Sequence, residues 1–244
     1  MTKYFYDLHI HSCLSPCADD DMTPNNIAGM AALKGLNIVA LTDHNSCKNC
    51  PAFFEACRRQ GLIPIAGIEL STAEDIHVVC LFPELDDAMS FDKEIEGHLA
   101  SIENRSDIFG NQIILDGEDE VLGEEKRLLI SATDLWLSDA LEIVRRHNGY
   151  VYPAHINRES NGIVAILGDI PEEYGFRCFE FNGKDDITKY KDRFNFISNE
   201  KILVCSDAHH LWDISEAENY LLIDDEPYSS SLVRRRFFDC LEQM

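Results

Sequence analysis

"YDLHIHSCLSPCADDD", Tyr6 to Asp21, opens at the end of a strand and continues as a run of metal-ligand side chains. Tyr4–Ile10 is short, apolar and rich in aromatic and β-branched types, as buried strands are. His9 and His11 stand at its C-terminal end, where a period of two puts both imidazoles on one face. If the strand lies in a parallel sheet, its neighbours should end in ligand-type residues too, and they do. Asp43 and His44 close Ile38–Leu41 in "VALTDHN", and Glu69 closes Ile63–Ile68 in "IAGIELS". His155 follows Tyr150–Pro153 in "YVYPAHINR", and Asp207 and His209 follow Ile202–Cys205 in "ILVCSDAHH". His77 sits instead at the start of Ile76–Phe82, so that strand either runs against the others or begins later.

Cys178–Phe181 is a seventh candidate strand. Helical patterns fall between the strands at Pro24–Leu33, Pro51–Gln60, Ala88–Ile102, Ala132–His147, Asn161–Leu167 and Ile187–Asn195. Pro24 and Pro51 occupy first turns, where proline is tolerated, and Thr23 and Asp134 are expected N-caps. Strand and helix in alternation specify an α/β fold with a parallel sheet, and strand ends of an α/β barrel converge on one mouth. "NQIILDGEDEVLGEE", Asn111–Glu125, breaks the rhythm and reads as a β-hairpin around Asp116-Gly117, inserted at about residues 105–130. No linker or repeat interrupts residues 1–244, which are expected to be one domain. Arg234–Arg236 reads as the solvated face of a last amphipathic helix.

Of the 244 residues 45% are hydrophobic, ample for one large core. A net charge of −23 opposes polyanions at long range, so neither long nucleic acid nor an anionic membrane is an expected partner. The N-terminus has no apolar run of signal-peptide length and nothing elsewhere spans a bilayer, so the chain reads as cytoplasmic. Its nine cysteines, an odd number, suit reduced thiols better than a disulfide framework. Cys13, Cys17, Cys47 and Cys50 offer a thiolate site as one reading and small loop residues as the other. His98 and His147 read as structural, and Trp136 and Trp212 as core or rim aromatics.

Neutral imidazole and carboxylate bind Zn²⁺, Mn²⁺ or Fe²⁺. Six histidines with several acids are too many for one tetrahedral ion, and Glu69 can bridge two cations. A lone HxH is weak evidence, and a single strand-end histidine is more often hydrogen-bonded structure. Four such fragments at successive strand ends point to a multinuclear centre suited to phosphoryl transfer.

The ordered set "DLHIHS", "LTDHN", "GIELS", "PAHI" and "SDAHH", Asp7 to His210, resembles the motifs of the PHP (polymerase and histidinol phosphatase) family, in its stand-alone bacterial phosphoesterase form. The resemblance implies a distorted seven-stranded, TIM-like β/α barrel with three divalent metal ions at its mouth. It places His9, His11 and Asp207 at the first metal, Glu69 between the first and second, His77 and His155 at the second, and His44 and His209 at the third. The remaining third-metal ligand falls at Asp19 counting back from "MTP", or at Cys17 counting forward from His11. A hard oxygen favours Asp19.

The expected reaction is hydrolysis of a small phosphomonoester by metal-bound hydroxide held near Glu69. Arg158 is the candidate phosphate clamp, with a surface ion pair as the plain alternative. Lys184, Lys48 and His210 are further substrate candidates, and His209 or a bound water would protonate the leaving oxygen. Asp43 is expected to orient His44. The alternatives are a phosphodiesterase or exonuclease on nucleotides or cyclic phosphates, and a non-catalytic metal-binding barrel.

Overall fold

Alternation along the strands sorts the apolar side chains into two cores. The computed structural model describes residues 1–244. Its strands are β1 (Thr2–Asp7), β2 (Ile38–Leu41), β3 (Ile63–Ser71), β4 (His77–Phe82), β5 (Ile113–Leu115), β6 (Val121–Glu124), β7 (Tyr150–Pro153), β8 (Phe179–Asn182), β9 (Ile202–Cys205) and β10 (Tyr220–Ile223). Its helices are α1 (Pro24–Leu33), α2 (Cys50–Gln60), α3 (Leu85–Ile95), α4 (Ser106–Phe109), α5 (Leu137–Arg146), α6 (Ile163–Leu167), α7 (Ile187–Arg193) and α8 (Ser230–Gln243). Ile38, Ala40, Ile63, Ile65, Val79, Leu81 and Tyr152 pack on the inner face, where Phe237 and Leu241 of α8 close the end away from the ligand-type residues. Their neighbours Val39, Leu41, Ala66, Ile68, Val78 and Phe82 face the helices and meet Phe53, Phe91 and Val144. Each of the valine, leucine, isoleucine and phenylalanine side chains, fully buried, contributes about 1.5–3 kcal/mol. Gly67 sits where β3 and β4 crowd: a Cβ there would come within 2.8 Å of the Cys80 carbonyl oxygen.

The main sheet has the order β10-β1-β2-β3-β4-β7, and β8-β9 form a separate parallel pair. β1, β2 and β3 run parallel, whereas β4 is antiparallel to both β3 and β7. All seven expected strands form, but the ladders do not join them into one seven-stranded ring. β10, which the pattern did not reveal, pairs with Thr2–Phe5 of β1 and occupies the edge that β9 would need. The curl continues only through single links, a bridge from Ile10 to Ala208 and a hydrogen bond from Ile156 N–H to the Glu180 carbonyl. The reversed β4 answers the question about His77: its register partner is Ser71, so its first residue lies at the same end as the last residues of β3.

β5 and β6 pair antiparallel, and the Asp116 carboxylate accepts from the Glu118 and Glu120 amides in the turn. The pair lies against α1 and α2. Asp119 accepts from the Thr23 hydroxyl and the Asn25 amide, an acid at a helix N-terminus. Thr23 caps α1 as expected, accepting from Asn26 N–H. Asp134 does not cap α5. That helix starts later, at Leu137, whose N–H donates to the Glu74 carboxylate, and Asp134 instead lies 2.7 Å from His98 Nδ1. α3 ends at Ile95, short of the expected Ile102, because the chain tightens into a 3₁₀ turn at Glu96–His98. No helix is long and apolar enough to cross a membrane.

Candidate metal centre

Parallel strand ends bring distant residues together here. His9, His11, His44, His77, His155, His209, Glu69 and Asp207 come from six separate stretches of chain and converge at one end of the curled sheet. Inner-face alternation explains two of them. Ile63, Ile65 and Glu69 lie on one side of β3, and Leu203, Cys205 and Asp207 repeat the pattern past β9. Two positions also carry backbone strain. His155 and Asp207 have φ of 27° and 53°, a left-handed region costing non-glycine residues on the order of 1–3 kcal/mol. At His155 this breaks the alternation that Tyr152 and Ala154 obey and turns the side chain into the cluster.

Glu69 is the hub and is 1% exposed. Its Oε1 lies 2.8 Å from His77 Nδ1, 2.9 Å from His155 Nε2 and 3.4 Å from His9 Nε2. Its Oε2 lies 3.0 Å from His44 Nδ1 and 3.3 Å from His11 Nε2. Asp207 Oδ1 lies 3.4 Å from His9 Nε2 and 3.2 Å from His11 Nε2, and those two nitrogens are 3.2 Å apart. Ligand-type atoms fall into three overlapping groups, each within 4.8 Å: His9, His11, Glu69 and Asp207; His44, Glu69 and His77; and His11, His44 and His209.

Burial alone would depress the imidazoles of His9 and His11. The carboxylates overturn it: Glu180, Glu69 and Asp207 hold His9 well above its usual range, and Asp207 and Glu69 raise His11 to about 9. Burial wins at His44, lowered to about 3, and at His209, lowered to about 4 with help from His11. Burial would raise Glu69, but His77, His9 and His44 keep it well below the ordinary carboxylate range. Asp207 is likewise lowered, by His9 and His11 against burial. Protons on His9 and His11 thus sit where positive charge is demanded. The donor set is imidazole nitrogen and carboxylate oxygen; the buried His155 Nδ1 has no hydrogen-bond partner, and His44 Nδ1, though 3.0 Å from Glu69 Oε2, is not aligned to make one. These residues fit divalent cations.

The surroundings hold the rings. Asp43 accepts from the Ser12 amide and from the hydroxyls of Ser12 and Ser15, and Ser15 Oγ lies 3.0 Å from His11 Nδ1. Asp43 therefore reaches His11 through Ser15 rather than orienting His44, whose backbone N–H alone touches Ser15 Oγ. Glu180, not singled out from the sequence, lies 2.8 Å from His9 Nδ1. Its signal was present in "CFEFN": a glutamate in the inward phase of an apolar strand.

A cavity of about 330 Å³ opens over the cluster, lined by His44, Glu69, His77, Asp207, His209, Arg158 and Cys17 among others. Arg158 ion-pairs with Asp207 Oδ2 and is half exposed. Asp19 does not reach the cavity: its carboxylate accepts from the Asp21 amide and lies 3.6 Å from His210 Nδ1, because the loop folds Asp19 N–H onto the His209 carbonyl. Cys17 takes the wall position instead. His210 is exposed outside the cavity. Lys184 pairs with Glu218 in a neighbouring depression, and Lys48 pairs with Glu125. Cys47 and Cys50 are buried in the helix-facing core, and no cysteine joins a ligand group, so the four-thiolate site does not form. His98 and His147 pair with Asp134 and Glu94, as structural histidines do. Both tryptophans are exposed.

Comparison with known proteins agrees with this architecture. The chain is 36% identical over 84 residues to a 5'-3' exoribonuclease of Haemophilus influenzae, covering 33% of this chain and 29% of that protein. Its fold resembles the lesion-specific endonuclease Q of Pyrococcus furiosus, with a TM-score of 0.61 at 20% identity over 86% of this chain and 49% of that one. It also resembles a candidate metal-dependent phosphoesterase of Bifidobacterium adolescentis, with a TM-score of 0.58 at 15% identity over 96% of both chains. The chain spans less than a third of the exoribonuclease and about half of the endonuclease. Both structural likenesses concern the fold. The signature of the PHP domain matches residues 7–170, more than half of the sequence. On that match, and on the ordered strand-end motifs that fall within and beyond it, the chain belongs to the PHP domain family.

Proposed function

We propose that this chain is a metal-dependent phosphoesterase that hydrolyses a small phosphate monoester. The observation that carries the reading is the convergence of six imidazoles and two carboxylates in one cluster under a cavity that His44, His77, His209, Glu69 and Asp207 line, with Arg158 as the cation among its lining residues. Family membership makes it a metal-dependent hydrolase. His9, His11, Glu69 and Asp207 would hold one cation, Glu69, His77 and His155 a second, and His11, His44 and His209 a third, with Cys17 rather than Asp19 on the adjoining cavity wall. When bound, such cations neutralise phosphate charge and bring the pKa of water near neutrality.

The remaining roles fall to the chain. Glu69 keeps its charge despite burial and so offers an oxygen to each side of the cluster. Arg158 is placed to exchange Asp207 for two phosphate oxygens, since its guanidinium lines the cavity and its fork suits that geometry. His209 Nδ1 lies 2.8 Å from the Asp207 carbonyl and must donate to it. Its Nε2 then carries a lone pair, so we assign it to cation binding rather than to protonating the leaving group.

The second reading is a nuclease, favoured by the exoribonuclease likeness and opposed by the net charge of −23. p-Nitrophenyl phosphate, its bis ester and a short 5'-phosphorylated RNA, each assayed with Zn²⁺, Mn²⁺ and Fe²⁺, separate the two. The monoester reading expects release from the first substrate alone or by far the fastest. Preference for the diester or the RNA would replace it with the nuclease.

A further inference from the structure

Glu180 is a fully buried carboxylate between Phe179 and Phe181 of β8. Cys178, just before the strand, packs inward, while Phe179 and Phe181 face the helices. A charge in that position is unfavourable unless it is hydrogen-bonded and paired. One oxygen makes all of its partnerships. Glu180 Oε1 lies 2.8 Å from His9 Nδ1 and also accepts from the backbone N–H of His155 at 3.1 Å. Oε2 has no hydrogen-bond partner. β8 is laddered only to β9, yet this oxygen holds a residue beyond β1 and another beyond β7.

Two consequences follow from the geometry. Once His9 gives up its second proton, the bond from Nδ1–H to Glu180 leaves the Nε2 lone pair facing Glu69, Asp207 and His11. The bond to His155 N–H fastens the backbone where φ is 27°, the turn that delivers that ring.

We propose that Glu180 is a positioning residue: one carboxylate oxygen sets the tautomer and heading of His9 and the turn at His155, so the ligands from two strands are assembled before a cation arrives. The inference rests on the metal-site reading above. It is tested on the full chain by Zn²⁺ affinity, measured in competition with a chromogenic chelator, and by ¹⁵N NMR of the His9 ring at a pH where that ring has lost its second proton. Glu180→Ala is expected to weaken zinc binding about 10- to 100-fold and to lose the fixed tautomer. Glu180→Gln, whose amide oxygen accepts both hydrogen bonds, is expected to stay within about threefold of wild type with Nδ1 still protonated. Should the alanine variant not fold, Glu180→Asp, one methylene short of both donors, takes its place with the same expected loss. Unchanged affinity and tautomer in the alanine or aspartate variant would overturn the inference. So would a glutamine variant as weak as alanine, which would assign the effect to charge rather than position. Wild-type protein that binds no zinc would instead remove the metal-site reading itself.

Discussion

His9 and His11, at the floor of the site, are fully buried and have Glu69 and Asp207 on one side, with Glu180 or Ser15 behind them. His44 and His209, on the outer side of the same cluster, each have one carboxylate within 4.0 Å. The residue type is the same and burial opposes protonation in both regions. The number of carboxylates decides the charge: the floor attracts protons, and the outer side repels them. A cation entering the floor must displace a proton, whereas the outer ligands are already neutral. The floor is also the better braced, by Asp43 through Ser15 and by the Glu180 carboxylate.

Removing the residue common to both regions breaks the comparison most severely. Glu69→Gln is expected to lower kcat on a phosphate monoester by about 10³-fold or more and to reduce bound metal. Steady-state kinetics with metal analysis checks this, and unchanged values in both would end the shared role.

Acidity separates the two regions directly. In chelator-treated protein the His11 pKa of about 9 lies above the unfolded value of 6.5, so its contribution is complete below pH 6.5 and is lost as pH rises through 9. That loss is on the order of 3 kcal/mol. His44 and His209, lowered to about 3 and about 4, act oppositely: their contribution is present above pH 6.5 and drains away as pH falls toward those values. Calorimetric Tm of the chelated protein should peak near pH 6.5 and fall on both sides, and added Zn²⁺ should remove the alkaline fall. A flat alkaline limb would show that the floor holds no such proton.

Arg158→Met is expected to raise KM about 10- to 100-fold while leaving zinc affinity near wild type, because the guanidinium serves phosphate. An unchanged KM would reduce it to a surface ion pair. Asp43→Asn should weaken zinc binding at the floor by about 10-fold through Ser15 and His11, read by the same chelator competition. Equal zinc affinity in variant and wild type would remove that brace. The smallest effects belong to Lys184→Met and His210→Ala, whose side chains lie outside the cavity: kcat/KM is expected to stay within about twofold. A larger loss at either would enlarge the substrate site.

The histidines and carboxylates of the cluster were legible because each sits in a short apolar run with a recognisable phase, and the order of the fragments carried the family. Glu180 is not legible in the same way, because a lone glutamate in a strand resembles an outward polar residue until the inner face is known. The chemistry of oxygen favours Asp19 over Cys17, but the path of the loop, pinned from Asp19 N–H to the His209 carbonyl, decides which side chain meets the cavity. Lys184 followed a strand end as the ligands do, yet it pairs with Glu218.

Periodicity and residue type, which are local, were enough to establish an α/β chain with a cluster of imidazoles and carboxylates at its strand ends. Direction and closure were not local. The reversal of β4 brings His77 to the mouth, β10 takes the edge of β1, and one Glu180 oxygen joins His9 to His155. These depend on which backbone edges and buried charges find partners, a competition among segments far apart in the chain that only the assembled structure resolves.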